Sequence, residues 1–256
     1  VLLGPPGSGK STLLRRLEYD LAAAGLRDGA TAVPFLVSLG RYGVDGAGVE
    51  ARTPQAWLNA LWARRYPELP ALDQLIGERR IVLLLDGLNE MPHAGFDEYR
   101  AAIVAWRRLV RDIAQDHAGV RIVFACRSLD YGVPLSSPDQ PVAQIRVEPL
   151  TDDQVHRFIE RLAPHRAETI WQGLQGTAKL DVVRTPYLLS LLIDDASSSG
   201  DVPTDRATLF TRFVRRAIAR EVERDHPLFR PGPLLDERDV RRIGAGQPWA
   251  SPWSLP

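Results

Sequence analysis

The chain has 256 residues, 45% of them apolar and 25% charged, which is enough for one full core and the start of another and excludes disordered and fibrous classes. Its 32 basic and 32 acidic residues cancel, so no net field draws in nucleic acid or an anionic membrane, and binding of either would need a local patch. The single cysteine, Cys126, excludes an internal disulfide framework and a cysteine-based zinc site, and fits a reducing compartment.

Lys10 and Lys179 are the only lysines, so nearly all positive charge is arginine, which reads as a compositional bias. The five histidines have no metal-ligand spacing. No apolar run approaches the roughly 20 residues that span a bilayer, and no leader opens the chain; a soluble cytoplasmic protein is expected. The chain starts at Val1, leaving only Val1-Leu2-Leu3 for a strand before Gly4, and stops at Pro256 without completing a periodic element, so it reads as a segment of something longer.

From Ser11 to Ala24, Leu13, Leu14, Leu17 and Leu21 fall at helical spacing, and Gly25 is expected as the C-cap. Val33 to Leu39 reads as a buried strand, followed by a glycine-rich exposed loop from Gly40 to Gly48. Thr53-Pro54 caps a helix with Trp57, Leu58, Leu61 and Trp62 on one face, and a second helix is expected over Ala71 to Arg79. Ile81 to Leu85 is apolar without alternation, the mark of a parallel strand buried on both faces, and it ends at Asp86. Phe96 to Asp116 predicts a long amphipathic helix with Ile103, Trp106, Leu109, Val110 and Ile113 inward and Arg107, Arg108 and Arg111 mainly on the solvated side. Val120 to Ala125 and Ala143 to Val147 are further strands. Strands alternating with helices through residue 148 predict an α/β fold with a parallel sheet.

From Leu150 the pattern is all helical. Thr151 caps Asp152 to Leu162, a helix follows over Arg166 to Thr177, and Pro186 opens another running to Ile193. Ser197 to Pro203 reads as a loop and a domain boundary, and Thr208 to Arg224 as a helix.

Gly4-Pro5-Pro6-Gly7-Ser8-Gly9-Lys10-Ser11, with Thr12 next, matches G-x-x-x-x-G-K-[ST] between a strand and a helix. Its glycines let backbone N–H groups form an anion nest at a helix N-terminus, where the dipole also favours phosphate. Lys10 supplies a full charge to the β- and γ-phosphates, on the order of 4 kcal/mol at about 4 Å and an effective dielectric near 20. Ser11 offers a hydroxyl to Mg²⁺. A second metal ligand is expected from Asp86, at the carboxyl end of the most apolar strand, although an Asp there also serves as a cap. Four residues on, Glu90 is the candidate to orient and polarise an attacking water, its other reading being a turn residue in Asn89-Glu90-Met91-Pro92.

The run Leu83 to Glu90 resembles the extended Walker B of NACHT domains, in the STAND class of signal-transducing ATPases, with Gly87 as the small residue after the metal Asp. Asn89 stands where that family often has an acid, while Glu90 is retained. The resemblance implies a P-loop sheet domain over 1–148, a helical domain over 149–200 and the start of a winged-helix domain over 201–256. It implies that Arg127 is the sensor reading the γ-phosphate, the alternative being a surface arginine paired with Asp130. It implies that Pro186 packs on adenine, which is compatible with a plain first-turn proline. The winged-helix stretch ends before that domain's phosphate-contacting histidine, and His226 is not assigned the role.

The resemblance further implies bound ATP or ADP with Mg²⁺, slow regulatory hydrolysis, linked effector and sensor or repeat domains, and homo-oligomerisation on activation. A nucleotide-stabilised scaffold without meaningful turnover and an AAA+ remodeller remain alternatives. A GTPase is the least favoured, because Asp86 to Asn89 is not D-x-x-G and no N-K-x-D motif occurs.

Overall fold

The computed structural model describes residues 1–28, 32–43, 53–199 and 206–223. The chain divides into two compact units, Val1–Glu148 and Pro149–Pro256.

In the first unit β1 (Leu2–Gly4) leads to α1 (Lys10–Asp28), β2 (Val33–Ser38), α2 (Pro54–Arg65), α3 (Leu72–Gly77), β3 (Ile81–Asp86), α4 (Phe96–Asp116), β4 (Arg121–Arg127) and β5 (Ile145–Arg146). The strands form a five-stranded parallel sheet in the order β2-β3-β4-β1-β5. The chain therefore leaves β1 for the far edge, returns through β3 and β4, and passes over β1 to β5. That reversal of direction lies at the carboxyl end of β1, the position at which ligands of open parallel sheets bind.

The unbroken apolar run of β3 is explained by burial on both sides. Ile81, Leu83 and Leu85 join Trp57, Leu61, Ile103 and Trp106 in one core, whereas Val82 and Leu84 join Leu14 and Ala125 in another. Helices thus cover both faces, α2 and α4 on one and α1 on the other. Edge-on aromatic contacts tie the larger core together: Phe35 lies 4.9 Å from Trp62, and Trp106 lies 5.7 Å from Phe124 and 6.3 Å from Trp57 between ring centroids. Each such side chain fully buried contributes about 1.5–3 kcal/mol of transfer free energy.

Several local expectations need correction. Helix α1 runs through Gly25 to Asp28; a mid-helix glycine costs about 1 kcal/mol against alanine, and the alanines before it absorb that. Only Leu14 of the α1 leucines is fully buried, while Leu13 and Leu17 are 49% and 37% exposed, because a single narrow stripe meets the sheet. Arg107 is half-buried, with its guanidinium donating to the Pro134 carbonyl. Leu39–Arg41 forms a 3-10 turn, and the rest of the expected glycine-rich loop, from 44, lies outside the described residues.

The second unit contains α5 (Asp152–Leu162), α6 (Ala167–Leu174), α7 (Ala178–Val182), α8 (Pro186–Ser199) and α9 (Arg206–Glu223). Thr151 and Gln154 form a reciprocal capping box at the start of α5. The helix expected over 166–177 is shorter: α6 stops at Leu174, before Gly176, whose φ of 71° is left-handed, the Thr177 hydroxyl donates to the Leu174 carbonyl at 2.7 Å, and α7 follows as a separate helix. Ser197 to Ser199 continue α8, and the rest of the expected loop, 200–203, lies outside the described residues. Val155, Ile159, Ile170, Leu174, Leu189 and Leu192 make the core of this unit. Arg212 on α9 pairs with the buried Asp195 on α8 at 2.9 Å. Residues 224–256, including His226 and most of the expected winged-helix stretch, lie outside the described residues.

Candidate nucleotide site

The loop after β1 turns back tightly over its own start. A Cβ on Gly4 would stand 2.6 Å from Ser8 Oγ and 3.2 Å from Val147 Cβ, so only glycine lets the loop close there. Gly7 and Gly9 have φ of 74° and 88°, the left-handed geometry that aims successive N–H groups into one concavity. Pro5 and Pro6 have no N–H and shape the loop without donating to it. Lys10 opens α1, and its ammonium donates to the carbonyls of Gly4 at 2.9 Å and Pro5 at 3.0 Å, arching over the loop. Ser8 is buried, whereas Pro5, Pro6, Ser11 and Thr12 are exposed.

The second element comes from the end of β3. Asp86 is half-buried and in register with Ser38 of β2. Gly87 has φ 77° and ψ 49°, and the 3-10 turn Leu88–Glu90 follows, anchored by fully buried Leu88 and nearly buried Met91. A Cβ on Gly87 would lie 2.8 Å from Glu90 Oε2 and 3.0 Å from its carboxyl carbon, so the Glu90 carboxylate sits over the space a side chain would take. The small residue after Asp86 is thereby given a local reason.

The third comes from the end of β4, which lies between β3 and β1. Arg127 is the direct register partner of Gly4, and the Ser128 N–H donates to the Gly4 carbonyl at 3.2 Å. Asn89 Oδ1 accepts the backbone N–H of Arg127 at 3.1 Å, tying the Glu90 turn to this strand end. The Arg127 guanidinium stands 3.7 Å from Glu90 and 3.9 Å from Asp130. The Asp130 pairing is therefore present, and the sequence reading missed the one with Glu90.

Electrostatics reports the same convergence. Burial first, and then the neighbouring Arg127 guanidinium, hold the Lys10 ammonium below the usual lysine value, with Asp86, Cys126 and Glu90 acting in the opposite sense. The Lys10 ammonium thus feels the charge of the Arg127 guanidinium, an arrangement that an anion would relieve. Three adjacent strands deliver Gly4, Asp86 and Arg127 to one edge of the sheet, about 5 Å apart per strand.

Pro186 belongs to the second unit, at the first position of α8, where the Ser190 hydroxyl donates to its carbonyl at 2.9 Å. Among the described residues no group of three His, Cys, Asp or Glu side chains could hold a metal on its own. A hydroxyl at Ser11 and one carboxylate at Asp86 are hard oxygen donors, and they fit a magnesium ion that draws its remaining ligands from phosphates and water.

The family description "NACHT domain" matches residues 1–166 of the chain. The chain belongs to this family. NACHT domains are P-loop nucleoside-triphosphatase modules of the STAND class, and the match covers the whole sheet unit and α5. No curated protein matches the chain. Among solved structures, the Aeropyrum pernix ORC1 protein in complex with DNA is similar at 18% identity and a TM-score of 0.47, covering 96% of this chain and 75% of its own. A variant of Thermotoga maritima RuvB is similar at 14% identity and a TM-score of 0.37, covering 96% and 74%. At these scores neither likeness carries weight. No described helix of the NACHT chain is long and apolar enough to cross a membrane.

Proposed function

We propose that this NACHT module binds Mg-ATP, hydrolyses it slowly, and acts as a cytoplasmic signalling switch in which the bound nucleotide controls oligomerisation and activation of a linked effector. In this reading 1–148 is the nucleotide domain, 149–200 a helical domain and 201–256 the start of a winged-helix domain. The observation that carries the proposal is that Arg127 is the register partner of Gly4, whose carbonyl holds the Lys10 ammonium, so that Lys10 feels the charges of Arg127, Asp86 and Glu90 together.

The backbone N–H groups from Gly7 to Thr12 bind the phosphate chain, and Lys10 exchanges its loop carbonyls for the β- and γ-oxygens. Ser11 and Asp86 hold Mg²⁺, which when bound neutralises charge developing on those oxygens. Glu90 orients the attacking water and Arg127 binds the γ-phosphate, reporting its presence. Pro186 is assigned to the adenine base by the family resemblance alone. Moving a switch from 1:99 to 99:1 takes about 5.5 kcal/mol of differential binding, an amount within reach of charge-assisted contacts to one phosphate group.

A second reading, a nucleotide-stabilised scaffold without turnover, is favoured by one observation: the carboxylate that would polarise water is engaged by Arg127. Three measurements on the full-length protein separate these readings. Lys10→Ala should abolish nucleotide binding, and unchanged affinity would remove the site. Glu90→Gln should bind ATP and not turn it over, whereas a wild type inert in single turnover leaves the scaffold. Particle size should change between ADP and ATP with its trigger, and no change under any nucleotide would refute the switch.

A further inference from the structure

Arg127 is shared between two carboxylates and held tightly by neither. Its contacts of 3.7 Å to Glu90 and 3.9 Å to Asp130 are longer than the roughly 2.7–2.9 Å of a charge-assisted hydrogen bond. All three side chains are about half exposed, at 46%, 51% and 45%. Such a pairing is weak. The backbone around it is firmly set: Asn89 fixes the Glu90 turn to the Arg127 strand end, and Gly87 leaves the carboxylate its seat.

We propose that Glu90 and Arg127 rest as a mutually engaged pair, with Asn89 as the positioning residue that keeps them in register, and that a γ-phosphate dissolves the pair by taking Arg127, thereby releasing Glu90. This rests on the proposed nucleotide site and adds to it a coupling between sensing and hydrolysis. With ADP no anion competes for Arg127, and Glu90 stays engaged. With ATP the γ-phosphate, carrying more charge than a carboxylate and offering several acceptor oxygens, wins the guanidinium. A weak pair suits this role, since a strong one would tax every ATP-binding event.

The test is a double-mutant cycle read by equilibrium binding, without turnover. Affinities for ADP and for a non-hydrolysable ATP analogue are measured by calorimetry on the full-length protein, giving an analogue-over-ADP preference for each variant. Glu90→Gln removes both the competitor for Arg127 and a negative charge near the γ-phosphate. The second effect persists in an Arg127→Ala background and the first does not. Glu90→Gln should therefore raise the preference about threefold more in the wild-type background than in Arg127→Ala, the size expected of an exposed pair. Equal gains in the two backgrounds would overturn the proposal and leave the nucleotide site standing. A wild type that binds neither nucleotide would overturn the site itself. Should Arg127→Ala not retain ADP binding, Arg127→Met, which keeps the aliphatic packing, closes the cycle.

Discussion

Gly87→Ala tests the local architecture most directly. At φ 77° and ψ 49° an alanine sits in the left-handed region, at a cost of roughly 1–2 kcal/mol. Its Cβ would also stand 2.8 Å from Glu90 Oε2. That carboxylate is half exposed at the end of a flexible side chain, so it moves aside at little cost in stability. The strain alone should lower the melting temperature by about 2–8 °C, taking about 2–4 °C per kcal/mol for a protein of this size. The displaced carboxylate has the larger functional effect, since a misplacement of about 1 Å can cost on the order of 100-fold in rate. Single-turnover hydrolysis should fall by about that factor, with ADP affinity changed less than about threefold. Gly77→Ala is the control: it ends α3 with negative φ and nothing within 4 Å of the added methyl, and it should leave both readouts unchanged or stabilise slightly. A Gly87→Ala protein with wild-type melting and turnover would refute the seating of Glu90 over Gly87.

Two further perturbations address packing and protonation. Thr151→Ala breaks the capping box with Gln154 and should cost about 1 kcal/mol in the helical unit, read by hydrogen exchange along α5; unchanged exchange would deny the box its role. Burial pushes the Cys126 thiol up to about 11. A group held protonated in the native state loses stability as pH rises above its ordinary value near 9.0 toward that figure, because the unfolded chain releases its proton first. Alkylation of Cys126 at pH 8 should accordingly be negligible until the protein unfolds, and rapid native-state labelling would contradict the burial.

Most of the fold was legible because its strongest signals are one-dimensional. The unalternated run Ile81 to Leu85 bears the mark of a strand buried on both faces, and Phe96 to Asp116 carries one apolar stripe over its whole length, so α4 has the expected ends. Thr53-Pro54 and Thr151 marked helix starts by local chemistry and are found as caps. The misreadings came where a single residue had to be weighed against its neighbours. Gly25 reads as a stop although three alanines precede it and α1 continues through it, while Gln175-Gly176-Thr177, where α6 has ended, reads as helix. The exposure of Leu13 and Leu17 follows from how narrowly α1 meets the sheet, and no periodicity carries that information.

At the candidate site the sequence picks out candidate groups and cannot relate them. Gly4, Asp86 and Arg127 each end a strand, and that much follows from the apolar runs before them. Strand order decides which ends are neighbours, and the register pair of Gly4 with Arg127 exists only because β4 inserts between β3 and β1. The same insertion changes the meaning of Asn89. As a sequence letter it marks a missing acid, which weighs against hydrolysis. In the folded chain its side-chain oxygen accepts the Arg127 N–H, a tie that holds Glu90 beside the arginine. An aspartate there could accept the same hydrogen bond, but it would put a further negative charge beside Glu90, Asp130 and Asp86 and compete for Arg127. The amide keeps the tether without the charge. The departure from the family's pattern therefore bears less on whether Glu90 is present than on what Arg127 is free to do.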